Sequence, residues 1–166
     1  MSMTLEFETT FDIIKRFSRQ PPTDVESLAD ALSIPIIFDG RLPDTVSGKL
    51  MRTTQHGGES GFAIVVNAKH GPRRQRFTMA HEIAHYALHR DLIKDEIVDN
   101  EMYRAKGISD EYEAQANSMA ANILMPAELV RARYRQGDRS YSALARTFNV
   151  SEEAVKIRLK QLRIAA

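Results

Sequence analysis

Cysteine is absent from the 166 residues, which excludes disulfides, thiolate metal sites and cysteine nucleophiles together. Any metal must be held by nitrogen and oxygen. An excess of one charge is missing too: 23 Lys+Arg face 22 Asp+Glu, a net charge of +1. Without a global field, binding to nucleic acid or to an acidic membrane would have to be local. No stretch approaches the roughly 18 apolar residues of a membrane span. The N-terminal MSMTLEFETTFDIIKRF mixes acids and bases into its apolar residues, unlike a signal peptide. A cytoplasmic location is the expectation. What is present, 43% hydrophobic and 27% charged residues, is the composition of an ordered globular chain. The length suits one compact unit with a small appendage.

Phe7, Phe11, Ile14 and Phe17 or Ser18 recur at helical spacing before Pro21-Pro22, predicting one amphipathic helix. Thr23-Asp24-Val25-Glu26 has the form of a capping box, with Thr23 as cap, for a helix running to about Leu32. Strands are expected over 33–38, 46–53 and 61–67, forming a small antiparallel sheet. Beyond Gly71-Pro72 the period becomes 3.6, and helices are expected near 73–90, 109–124, 127–135, 140–148 and 152–163. The stretch Asp91 to Gly107 is charged and weakly periodic.

The strongest local signal is His81-Glu82-Ile83-Ala84-His85 inside a predicted helix. Four residues advance a helix by about 6 Å and slightly more than one turn, so the two imidazoles share a face and can share an ion. Glu82 lies beside them, placed to reach a water on that ion rather than to bind it. The stripe Phe77, Ala80, His81, Ala84, His85, Leu88 points both histidines into the core, where unpaired imidazoles are costly and a metal would satisfy them. In the helix from Ser109, Glu113, Ala116, Asn117, Ala120, Ala121 and Leu124 form a similar alanine-rich stripe. Glu113 is therefore the candidate third ligand, leaving a coordination position for water, with Asp110 its rival. Asn117, one turn on, is the candidate support for a ligand histidine. Zinc suits such a set, with manganese or iron as alternatives.

The strings RQRFTMAHEIAHYALH, EAQANSMAANILMP and SYSALARTFNVSEEAVKIRL, in that order, resemble the ImmA/IrrE family of metallopeptidases. That resemblance implies a zincin-like core and a zinc-dependent peptidase. It also implies a helix-turn-helix repressor as substrate, a role in transcription regulation or stress response, and a gluzincin-like arrangement. In that arrangement a downstream Glu is the third ligand and the residue four later supports the site, here Glu113 and Asn117. The chain departs from the family at Gln115, where an acid is common, and at Met119, where an aromatic is common.

His89 extends the row His81, His85, but lies about 12 Å from His81 along the axis, too far to share its metal. It reads as a helix-end residue favoured in its charged form by the dipole. Asp91 and Leu88 stand where a metzincin needs histidine and glycine. His56 and His70 fall in loops, and Arg73, Arg74 and Arg76 read as a solvated face. Tyr86, His89, Tyr103 and Tyr134 are available to stabilise an oxyanion, and the sequence does not choose among them. Ser140 to Leu162 reads as a helix-turn-helix, with Ala154, Val155, Arg158, Leu159 and Leu162 inward, but Glu152 and Glu153 stand where a DNA reader needs basic or amide groups. A packing or substrate-docking role is expected and specific DNA binding is not. The strand over 62–67 is either a substrate-binding edge or an ordinary core strand.

The expected fold is α+β: a small antiparallel sheet of about three strands on a helical core spanning 1–136, with a helix-turn-helix-like segment over 137–166 packed on it. The expected function is zinc-dependent endoproteolysis of a protein, by water activated with Glu82 as base. The alternative is a DNA- or protein-binding regulator with a structural or vestigial metal site.

Overall fold

The run Phe62-Ala63-Ile64-Val65-Val66 is apolar without alternation, the pattern of a strand covered on both faces. The computed structural model describes residues 7–99 and 109–164, and there the run forms β3 (Phe62–Asn67), buried at every residue. It lies between β1 (Ile36–Asp39) and β2 (Gly48–Arg52), and β2 also pairs with β4 (Glu96–Asp99).

Among the described residues the sheet is thus mixed, with four strands, not antiparallel with about three. Ile36 stands opposite Ile64 in a parallel pair, whereas β2 runs antiparallel to both β3 and β4. The physical reason is insertion: β2 reverses the direction of β1, β3 reverses it again, and β3 then slots between the two. β4 lies in the charged stretch that lacks a clear period, and residues 100–108 of that stretch lie outside the described residues. The central position of β3 also corrects its reading as a substrate-binding edge. Both its sides are hydrogen-bonded, so among the described residues the outer strands of the sheet are β1 and β4.

The described residues also form α1 (Thr10–Phe17), α2 (Val25–Ala31), α3 (Pro72–His89), α4 (Asp110–Leu124), α5 (Ala127–Arg135), α6 (Tyr141–Phe148) and α7 (Glu152–Gln161). Phe7 precedes α1 and is 90% exposed, so Ile14 and Ser18 carry that helix's inward face. The cap of α2 is Asp24, which accepts from the Ser27 amide. Thr23 is not the cap: its hydroxyl is buried and donates to the Ile123 carbonyl at 2.8 Å, tying the start of α2 to the end of α4. The first strand begins at Ile36, because Ser33 adopts φ 58°, which is not an extended conformation.

Helix α3 is central. It packs on α2, α4, β2 and β3, and from Thr78 to His85 every residue is buried. The sheet comes close to it at Gly48, where an added Cβ would lie 2.4 Å from the Val65 carbonyl oxygen and 2.6 Å from Thr78 Cγ2. Asn67 fixes the approach to α3: its amide donates to the carbonyls of Pro43 and Val46, and Gln75 donates to its carbonyl. Two arginines fasten α6 and α7. Arg76 on α3 donates to Thr23 O, Asn149 O and Phe148 O, so it is not part of a solvated cluster. Arg158 on α7 donates to Met125 O and Asn122 Oδ1. Leu144, Phe148, Val155 and Leu159 join the same apolar cluster as Leu50, Ile64 and Ile83. No helix among the described residues is long and apolar enough to cross a membrane.

Gly48→Ala is expected to destabilise the fold by about 1–3 kcal/mol, the usual cost of overpacking where backbone blocks relief. Urea titration measures it. Gly40→Ala, whose Cβ would meet nothing nearer than Ala68 Cβ at 4.0 Å, should stay within about 0.5 kcal/mol of the parent.

Candidate metal centre

Helix α3 opens at Gly71 with Pro72 in its first turn, where the missing N–H costs nothing. His81 and His85, one turn apart, are 2% and 0% exposed. Helix α4 opens at Ser109, whose hydroxyl accepts from the Tyr112 amide, and Glu113 sits in the first turn, where the helix dipole favours negative charge. The buried face of α4 carries Ala116, Ala120 and Ala121, and that of α3 carries Ala80 and Ala84. Small side chains on both helices bring their polar groups within contact distance.

His85 Nε2 is 2.9 Å from Glu113 Oε1, His81 Nε2 is 3.3 Å from Glu113 Oε2, and the two Nε2 atoms are 3.1 Å apart. All three residues are buried, with donor atoms within 4.8 Å of one another. A divalent ion fits this set. Tetrahedral bonds of about 2.0–2.1 Å place neighbouring donor atoms about 3.3 Å apart, close to the triangle observed. Asp110, the rival ligand, is exposed and does not join the group. Glu82 is fully buried on the same helix.

Burial alone would raise the Glu113 pKa, but the hydrogen bonds from His81 and His85 override it and hold the carboxyl well below its ordinary 4.5. Burial drives the His85 imidazole below its ordinary 6.5, against the pull of Glu113. The site thus favours a carboxylate and a neutral imidazole, the protonation states in which both groups bind metal.

Asn117 does not support a histidine: it is exposed, because α4 turns it away from α3. The side chain beside His85 is instead that of His89. Its ring is 3% exposed, with Nδ1 3.0 Å from His85 Nδ1 and Nε2 2.9 Å from Gln115 Oε1. Tyr112 covers it at 4.8 Å between centroids. His89 is the last residue of α3, as expected, and is buried there, whereas Leu88, expected in the inward stripe, is 40% exposed. The i, i+4 spacing from His85 made this pairing visible in the sequence. Gln115 carried no signal beyond its departure from the family pattern.

Tyr86 lies edge-on to Phe62 at 5.4 Å, with the Arg90 guanidinium 4.9 Å from its ring. Tyr134 lies under Arg139 at 5.2 Å, and Tyr103 lies outside the described residues. His56 is exposed, and His70 Nε2 is 3.0 Å from the Asp44 carbonyl.

Residues 41–160 match the IrrE N-terminal-like domain family, more than two thirds of the chain. The chain belongs to that family. It is 37% identical over 93 residues to the radiation response metalloprotease IrrE of Deinococcus deserti, covering 53% of this chain and 32% of the relative. With its Deinococcus radiodurans namesake the identity is 34% over 93 residues, covering 53% and 27%. The chain thus spans about a third or less of the curated relatives it matches. A solved Mycobacterium tuberculosis transcriptional regulator matches at TM-score 0.59 and 21% identity, covering 90% of this chain and 45% of that one, which is a likeness of fold.

Two outcomes follow from the geometry. Purified protein should hold about one divalent metal per chain by elemental analysis; Glu113→Ala should lose it, whereas Asp110→Ala should keep it. Metal-free protein should lose stability on acidification. Between 6.5 and the lower folded pKa of His85, and again below 4.5 for Glu113, the unfolded chain binds the extra proton, so stability falls as pH falls. Thermal melts between pH 7.5 and 4 should show a monotonic drop in Tm.

Proposed function

We propose that this chain is a zinc-dependent endopeptidase. The observation that carries the reading is the buried triangle of His81, His85 and Glu113 with Glu82 on the same helix, in a member of a family with metalloprotease relatives. His81, His85 and Glu113 would hold the ion, and manganese suits the same ligands. When bound, the metal supplies Lewis-acid polarisation of the scissile carbonyl and acidifies water. Glu82 takes the proton of the attacking water and delivers it to the leaving amine. A structural site needs no such carboxylate beside its ligands, which weighs against a regulator with a vestigial metal site. A neutral His85 imidazole and an anionic Glu113 are the protonation states that bind metal.

The proposed substrate is a protein, namely a helix-turn-helix repressor, encoded next to this chain and bound through the surface of α6 and α7; the reading places the enzyme in the cytoplasm and in transcription or stress control. The division at 136/137 belongs to this proposal, with 137–166 as a helix-turn-helix-like docking segment on a zincin-like domain. Specific DNA binding is not part of it. Glu152 and Glu153 are exposed at the start of α7, and Arg158 is 7% exposed and engaged with Met125 O, so it is not free to meet phosphate or base edges.

Glu82→Gln should retain metal and the far-ultraviolet spectrum of the parent while cleavage of the neighbouring repressor falls by at least about a hundredfold. Casein and short peptides should be poor substrates of the parent, since remote contacts are needed to position the scissile bond. Efficient casein digestion, or a fully active Glu82→Gln, would contradict the proposal.

A further inference from the structure

A neutral imidazole has one donor and one acceptor nitrogen, so a row of them has a direction. Gln115 supplies the end of such a row: its Oε1, 2.9 Å from His89 Nε2, can only accept. The tautomer of His89 that donates from Nε2 to this oxygen has Nδ1 as its acceptor. Its partner at 3.0 Å, His85 Nδ1, must donate. His85 Nε2 faces Glu113 Oε1 at 2.9 Å and can donate to it in one tautomer; the row through His89 favours the other, with the proton on Nδ1 and the Nε2 lone pair available to an ion in the triangle shared with His81 and Glu113.

We propose that Gln115 and His89 act as positioning residues that fix the tautomer and ring orientation of His85, so that its Nε2 is presented ready to bind metal. Neither residue touches the metal. The assignment deepens the metal-centre reading and rests on it. Three observations besides the hydrogen-bond distances support it. His89 is 3% exposed, so bulk water does not compete for its nitrogens. Tyr112 covers the ring, with the planes inclined at 46°, which limits its rotation. The row also joins the two helices that supply the ligands: His85 and His89 lie on α3, and Gln115 lies on α4, two residues from Glu113. The same contacts that orient His85 therefore hold its helix in register with the carboxylate.

Metal-free parent and variants are titrated with zinc against a chromophoric chelator, and with cobalt for the visible ligand-field spectrum. Removal of such outer partners typically weakens metal binding 10–100-fold. His89→Phe keeps an aromatic ring beneath Tyr112 but cannot accept the proton of His85 Nδ1, and should weaken zinc binding by that factor and alter the cobalt spectrum. His89→Gln, whose side-chain carbonyl can accept that proton, should recover at least part of the affinity. Gln115→Leu, at an exposed position that leaves folding intact, should weaken binding severalfold, and Leu88→Ala, an exposed neighbour, should not. Equal losses in His89→Phe and His89→Gln would reduce the effect to packing and overturn the inference. Unchanged affinity in His89→Phe or in Gln115→Leu would also overturn it. If the parent itself binds no zinc, the metal-centre reading fails first and this inference falls with it; parent binding with unaffected variants defeats this inference alone.

Discussion

Two imidazoles and a carboxylate held within about 3 Å of one another inside a protein constrain everything around them. Isolated, each would be a buried polar group deprived of water, at a cost of about 1–3 kcal/mol for each unmet hydrogen bond. Together they satisfy one another and form a cation-binding triangle. The arrangement requires α3 and α4 to lie close, which their alanines permit, and requires α3 to be enclosed rather than laid on a surface. Enclosure is completed by β2 and β3 beneath it, where Gly48 leaves room for Thr78. The apolar sheet, the small-residue helix faces and the polar triangle are thus one packing solution.

His81, Glu82, His85 and Glu113 were legible because helical phase converts spacing into direction, and the helices they occupy are long enough for phase to be unambiguous. Asn117 was misassigned by the same method: it lies one turn beyond Glu113, but a shift of a few tens of degrees carries a stripe-edge residue out of the interface. His89 lay on the line of the histidines, yet a sequence cannot tell an exposed terminal turn from one roofed by Tyr112. Sheet direction was not legible, because strand patterns report faces and not neighbours. The unbroken apolar run of β3 reports two covered faces and leaves its place in the sheet open. Thr23 shows a further limit, since a capping pattern offset by one residue looks the same until the hydroxyl finds a distant carbonyl to bind.

The C-terminal helices are attached by polar fasteners as well as by apolar packing. Arg76 reaches from the metal-binding helix to the turn between α6 and α7, and Arg158 reaches back to the end of α4. Arg76 donates to backbone carbonyls alone, and Arg158 donates to the Met125 carbonyl and to the Asn122 side chain, all near helix ends. The two helices that carry the site are therefore also the two to which the final pair is tied.

That inward-turned Arg158 divides α7 into positions under different physical constraints. Val155, Arg158 and Leu159 are committed to the interior, whereas Glu152, Glu153, Lys156, Ile157 and Lys160 face solvent. Changes at the second group leave the fastening of α7, and through it the ends of α3 and α4, undisturbed. Substitutions on the outward face can therefore change what α7 presents to solvent without touching the residues that fasten it.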